Sequence, residues 1–425
     1  MKRRVGKIVA RILILSIMLT VVCGLATFRH GADTTQSIGT EVQARFYSSS
    51  GTVQISSTAA TGKGTMSRNL TGTSWATFLS TVGKENIKTI IFANSVYAPE
   101  NSNALFSGLT NLTTIQNIQN LDTSNTTNMS LMFSDCSSLT SINTSYFSTS
   151  NVTDMSSMFS GCSSLTGLTF GSNFNTSNVT SMGGMFNNCS SLTSLDLTNF
   201  NTSKITDMIY MFGNCSNLTS ITFGNNFSTA NVTRMTCAFA GCSSLTSLDL
   251  TNFNTSKVTA MTAMFEGCTN LTTINGLTNF NTSSATDMSG MFSECSKLTS
   301  LNLSSFNTEH VTNMVSMFYR CTNLQNLTLS RTFVTNNVTS MGRMFQFCSS
   351  LTSLDLRNFN TSNVTNMTYM FYGCSSLKTL NLSSFNMSGV TDDQYTMMLG
   401  GCIDLNQIYT QTTYPTDRKS TRLNS

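Results

Sequence analysis

Cysteine is the residue best placed to do chemistry in this sequence, and eleven of its thirteen copies are evenly spaced. They stand at Cys136, Cys162, Cys189, Cys215, Cys242, Cys268, Cys295, Cys321, Cys348, Cys374 and Cys402, in steps of 26 and 27 residues in turn, with a last step of 28. Thiols could bind metal, form disulfides or act as nucleophiles. Zinc needs close Cys or Cys/His pairs, and no such spacing occurs. The two histidines, His30 and His310, are too few for a histidine-based metal site or a catalytic triad. Thiols stacked about 4.8 Å apart would lie within disulfide reach. An odd number, with one identical cysteine per step, reads instead as a packing ladder of reduced, buried thiols that behave as small hydrophobes. Cys237, beside Phe239 and outside the frame, reads as core. Carboxylates such as Asp207, Glu266 and Glu294 are scattered, and a glycan hydrolase needs a carboxylate pair in a cleft. No catalytic, cofactor-binding or metal-ligating residue is assigned, and a non-enzymatic protein is expected.

The elements that carry these cysteines are one unit repeated. A fixed period in the range 20–50 residues signals a stacked array. Cys348 to Cys374 reads CSSLTSLDLRNFNTSNVTNMTYMFYGC, and the neighbouring units keep its frame. The longer units carry one extra residue after the Leu run, as in Phe170-Gly-Ser-Asn-Phe174 and Phe223-Gly-Asn-Asn-Phe227. Leu351, Leu354 and Leu356 end in period-2 alternation, which predicts a short strand. Val364, Met367, Met370, Phe371 and Cys374 fall on one helical face, which predicts a short helix with Asn363 as its cap and Gly373 as its stop. The expected fold is an α/β solenoid of about 12 strand–turn–short-helix units with a parallel sheet. Met is read as core filler rather than a Met-rich groove. Asn in the Phe-Asn-Thr-Ser turns (Phe200-Asn201, Phe253-Asn254, Phe280-Asn281, Phe306-Asn307, Phe359-Asn360) is placed to satisfy turn backbone groups.

The ends read differently. Residues 1–26 combine a basic start with an apolar run and predict a signal peptide. Residues 27–64 are rich in Ser, Thr and Gly and predict a flexible linker, with a weak strand at 51–55. Residues 65–104 predict an N-terminal cap, with a helix beginning at Ser74-Trp75 and a strand over Lys88–Phe92. The array spans 105–408, and 409–416 would start a truncated C-terminal region. The last nine residues, 417–425, look like translated sequencing adapter. Without both ends the formal charge moves from +4 to about −3, with 15 basic and 18 acidic residues, which disfavours nucleic acid and anionic membranes.

The unit LTSLDLxNFNTSxVTxMxxMFxGC resembles the repeat of BspA-like leucine-rich-repeat bacterial surface proteins, over about Leu105 to Ile408. The resemblance implies export to a bacterial surface and an adhesin role, with a host extracellular-matrix protein or a neighbouring cell surface as partner. It transfers no ligand to particular positions. A candidate binding stripe comes from the residues themselves: Asn143, Asp196, Asp249, Asn302 and Asp355 lie between the last two Leu of each shorter unit. Two units apart means about 10 Å, too far to share one calcium ion. No cofactor, nucleic acid or small-molecule substrate is expected. The alternative reading is a passive stalk that presents a missing C-terminal module or wall anchor. Two minor ones are an ice-binding array along Thr140, Thr166, Thr193, Thr219, Thr246, Thr272 and Thr299, interrupted at Gln325 and Lys378, and a glycan hydrolase.

Overall fold

The structure is a computed structural model that describes residues 33–68, 74–386 and 397–410. The expected signal peptide, the region 411–416 and the adapter-like end lie outside these residues. Among the described residues, no helix is long and apolar enough to cross a membrane.

The chain is a β-solenoid of about 12 turns with little helix. Ahead of the array, β1 to β4 are Thr34–Thr40, Val42–Tyr47, Thr52–Ser57 and Gly64–Met66, followed by α1 (Trp75–Val82), β5 (Thr89–Phe92) and β6 (Val96–Tyr97); from β9 onward each turn brings one short strand into the stack. The array strands are β7 (Thr114–Gln116), β8 (Leu121–Asp122), β9 (Ser141–Asn143), β10 (Gly167–Thr169), β11 (Ser194–Leu197), β12 (Ser220–Phe223) and β13 (Ser247–Asp249). Then come β14 (Thr273–Asn275), β15 (Ser300–Leu303), β16 (Asn326–Leu329), β17 (Ser353–Leu354), β18 (Thr379–Asn381) and β19 (Gln407–Tyr409). From β9 onward neighbours pair in parallel, with identical positions of successive units in register, as in Leu195 against Ile221 and Leu301 against Leu327.

The pairing follows the alternation of unit lengths. β9 pairs with β10, β11 with β12, β13 with β14, and β15 with β16; only β17, β18 and β19 run on as three. Each pair joins a shorter unit to the longer one after it, and the ladder breaks where the extra residue enters. Glycine lets that extra loop lie against the preceding turn. A Cβ on Gly224 would stand 2.0 Å from the Thr198 carbonyl oxygen, and one on Gly276 would meet Leu250 and Thr251 backbone at 2.5 Å.

The predicted helical half is not a helix. Met367 to Leu377 is a run of tight turns, closed by Met370 N–H to the Met367 carbonyl and Cys374 N–H to the Phe371 carbonyl (3.1 Å each). Between these, alternate amides donate to the next coil, as Phe345 to Met370 (2.8 Å) and Arg343 to Thr368 (2.9 Å). A helix would use every amide within its own segment; here about half of them bind the coils together. Two residues per unit hold positive φ, Tyr369 (59°) and Gly373 (74°) in this one, as turns with a left-handed third residue require. The spacing of Met, Met-Phe and Cys fits both geometries, because a three-residue turn returns side chains to one side much as 3.6 residues do.

The core is a set of columns. The rings of Phe133, Phe159, Phe186, Phe212, Phe239 and Phe265 stack unit on unit, with centroids 5.3–6.1 Å apart. A second column, including Phe174–Phe200 (5.7 Å) and Phe333–Phe359 (5.9 Å), lies beside the strands. The Met columns are fully buried over most of the array.

The flexible linker expected over 27–64 is corrected by the structure. From Thr34 the chain forms β1, β2, β3 and β4, an antiparallel hairpin sheet that continues into parallel β5 and β7 on one side and β6 and β8 on the other. The polar residues face out while Val42, Ala44, Phe46, Val53 and Ile55 point inward at every second position. The expected helix is α1, capped by the Ser74 hydroxyl accepting from the Thr77 amide. Trp75 is buried, stacked on Phe78, with its indole N–H donating to the Leu105 carbonyl (2.6 Å). It plugs the open end of the first repeat.

Candidate functional site

The cysteine ladder is buried and reduced: all eleven are free thiols in the core. Each thiol donates to the carbonyl of the stacked Phe one unit back, as Cys242 to Phe212 (3.1 Å) and Cys268 to Phe239 (3.2 Å). Burial pushes the Cys215, Cys268 and Cys321 thiols up to about 12. A thiolate is the nucleophile and the metal ligand, so at neutral pH this column presents neither. Among the described residues no group of three or more His, Cys, Asp or Glu is placed to hold a metal ion.

The candidate stripe is exposed along its full length, and the strand register places another polar residue between its members: Thr169 beside Asn143, Thr222 beside Asp196, Asn275 beside Asp249 and Thr328 beside Asn302. Each stripe residue closes the turn that follows its strand. Asp196 accepts from the Thr198 amide, Asp249 from Thr251, Asn302 from Ser304 (3.0 Å each) and Asn143 from Ser145 (3.0 Å). That bond holds the Asp196 carboxyl below its ordinary range. Asp355 is lowered chiefly by the Arg357 guanidinium, 2.7 Å from its Oδ2. The stripe therefore anchors turns as well as lining a surface. Where β14 and β15 fail to pair, a shallow recess of about 300 Å³ opens beside Asn302.

The Asn residues of the Phe-Asn-Thr-Ser turns act as expected, Asn254 accepting from the Ser256 amide (3.0 Å) and Asn360 from Ser362 (3.0 Å). The Thr two residues after each turn Phe carries a further role, one not assigned from the sequence pattern. Thr229 is buried, donates to the Asn254 carbonyl (2.9 Å) and accepts from the Asn254 amide (2.8 Å). Thr176 and Thr282 repeat the pattern toward Asn201 and Asn307, and Thr335 donates to the Asn360 carbonyl. Its signal was available, since this Thr never varies between Thr123 and Thr361 while its neighbours do. The column weighed for ice binding is exposed at Thr140 through Thr299, and its hydroxyls are partly spent on the preceding unit, as Thr219 to the Thr193 carbonyl (2.8 Å).

The remaining surface is the edge made by the tight turns. Two of its columns have positive φ in every unit, and there the units differ from one another: Ser157, Gly184, Tyr210, Cys237, Ala263, Ser316, Arg343 and Tyr369 in one, Asp135, Gly161, Asn214, Glu294, Arg320, Phe347 and Gly373 in the other.

A search of curated proteins finds no match. Among solved structures, similar chains include a leucine-rich repeat protein from Bacteroides ovatus (20% identity over 87% of this chain and 92% of that one, TM-score 0.43). A leucine-rich cell surface protein from Faecalibacterium prausnitzii is 18% identical over 91% and 97% of the two chains, with a TM-score of 0.40. A leucine-rich repeat protein from Eubacterium ventriosum is 16% identical over 79% and 95%, with a TM-score of 0.37. The family described as "Mycoplasma protein of unknown function, DUF285" matches four overlapping stretches, residues 84–169, 142–248, 233–346 and 301–412, and the chain belongs to that family.

Proposed function

We propose that the chain is an exported bacterial surface adhesin without enzymatic activity, which binds host matrix proteins or neighbouring cells through its exposed repeat surface. The observation that carries this reading is the array itself. About twelve turns in register repeat the same polar columns along one continuous surface. Extended repeat surfaces suit large partners rather than small molecules. The core side of every unit is occupied by packing, so its chemistry is spent on stability.

The test is adhesion of beads coated with the purified chain to immobilised host matrix proteins and to bacterial cells. Saturable attachment that a soluble excess of the chain competes away is the expected result. Failure to attach to any of these surfaces overturns the adhesin reading and leaves the array as a stalk.

A further inference from the structure

The turn edge of the last complete units carries a group of side chains that the fold does not ask for. Arg320, Phe347, Arg343 and Tyr369 hold φ of 55°, 62°, 60° and 59°. Glycine and asparagine suit this region, and bulky residues there are outliers. The same two columns hold positive φ in every unit and carry glycine at Gly161, Gly184, Gly241, Gly267, Gly290 and Gly373, with other bulky side chains at Leu131 and Tyr210. Backbone strain of this kind collects where a side chain is held for another purpose.

Arg320, Phe347 and Tyr369 converge with Tyr319 and Tyr372, and Arg343 stands one unit before Tyr369 in the same column. The Arg320 guanidinium lies over the Tyr319 ring (5.3 Å) and the Phe347 ring (5.6 Å). Phe347 meets Tyr372 edge to face (5.6 Å, 90°), and Tyr372 meets Tyr369 in the same way (5.4 Å, 89°). Arg320 and Arg343 are exposed, and neither forms an ion pair among the described residues. Gln346, next to Phe347, is 9% exposed, and its Oε1 has no hydrogen-bond partner. A buried acceptor left unpaired calls for an explanation.

Charge gives the sign of the occupant. The array from 301 to 408 is balanced, with five acidic and five basic side chains, but both charges of the patch itself, Arg320 and Arg343, are cationic and exposed. We propose that the turn edge formed by Tyr319, Arg320, Arg343, Phe347, Tyr369 and Tyr372 is a docking site for an acidic protein segment. Tyr and Arg are the residues that dominate protein–protein hot spots, and unpaired guanidiniums select carboxylates with bidentate geometry. Phe347, Tyr372 and Tyr369 stand at right angles in turn, which leaves slots for side chains instead of one flat platform for a sugar. This inference rests on the protein-binding reading and names the partner chemistry and the place.

The probes are fluorescein-labelled synthetic 15-residue peptides in which Asp and Glu alternate with Leu and Phe, matched peptides with Lys in place of every acid, and heparin fragments. Anisotropy is read with the full chain, Arg320→Gly/Phe347→Gly, Arg343→Gly/Tyr369→Gly and the control Tyr210→Gly, which removes a side chain from the same edge far from the patch. The expected result is binding of acidic peptides, at least tenfold weaker for the Lys peptides and for both double variants, and unchanged for the control. Because glycine suits these backbone positions, the double variants keep or raise their melting temperature, so lost binding is not lost folding. Equal binding by the variants, no preference for acid over Lys, or binding of heparin in place of peptide overturns the proposal. The bead adhesion assay on the same variants separates it from the broader reading: adhesion that persists in both double variants removes this patch and leaves the adhesin, while absent adhesion of the unaltered chain removes the adhesin and leaves the peptide result to decide the patch.

Discussion

Replacing Phe292 with alanine should split the unfolding of the array into two separable parts. Phe292 is fully buried, and its ring stacks between Phe265 (5.6 Å) and Phe318 (5.8 Å). Truncating a buried Phe costs about 3–5 kcal/mol, more where the site cannot collapse. Here the neighbouring rings are fixed by their own stacks, which places the cost near the upper end, about 4–5 kcal/mol. In an array whose stability is a sum of units and nearest-neighbour interfaces, such a loss is local. Trp75, the chain's one tryptophan, reports the N-terminal cap seven Phe steps away. In urea, far-UV circular dichroism should show an early transition for Phe292→Ala while Trp75 fluorescence keeps its unaltered midpoint. Phe106→Ala should do the reverse, since Phe106 packs edge-on to Trp75 at 5.9 Å. Coincident transitions in both variants, with equal shifts, would refute nearest-neighbour stability; a cost below about 1.5 kcal/mol would refute the role given to the Phe column.

Thr229→Val should destabilise by roughly 1–3 kcal/mol for each Asn254 backbone group it leaves unpaired, and Thr229→Ser should restore most of that; urea denaturation measures both. The thiol ladder makes stability fall with alkali. The folded thiols of Cys215, Cys268 and Cys321 titrate near 12 rather than 9, so above pH 9 the unfolded chain binds fewer protons; the stabilisation is whole below pH 9 and is lost as pH rises toward 12, visible as a falling melting temperature. For the same reason the ladder cysteines should resist iodoacetamide at pH 8 while folded and react once unfolded, as mass spectrometry would record. In the stripe, Asp196→Asn keeps the turn acceptor and should leave stability unchanged, whereas Asp196→Lys loses the bond to the Thr198 amide and should cost about 1 kcal/mol by thermal melting.

The columns were legible in the sequence because a fixed period turns one unit's pattern into a whole core: Leu, Met, Phe and Cys recur, and the structure buries them. The tight turns were not, although their signal was present. Gly161, Gly241, Gly267 and Gly373, with Asn188 and Asn214, occupy one column, and Gly and Asn are the residues that tolerate positive φ. Met367, Met370, Phe371 and Cys374 looked helical because apolar periodicity does not distinguish a helix from a train of three-residue turns. The sheet of β1 to β3 was hidden by its outward face. Thr, Gln and Ser dominate the composition there, while Val42, Ala44, Phe46, Val53 and Ile55 alternate beneath it. The Asx stripe lies on an exposed face, and each member also closes the turn two residues on, a local bond that its Asp or Asn identity hinted at. Arg320, Phe347 and Tyr372 look like random substitutions along the chain, and they meet only when consecutive units lie side by side.

The most direct test is surface plasmon resonance of the purified chain over immobilised host matrix proteins, run on the folded chain and again after thermal unfolding. The account predicts saturable binding to at least one of them that disappears on unfolding, because the binding surface exists only when units stack. No saturable binding by the folded chain, or equal binding by the unfolded one, would contradict it.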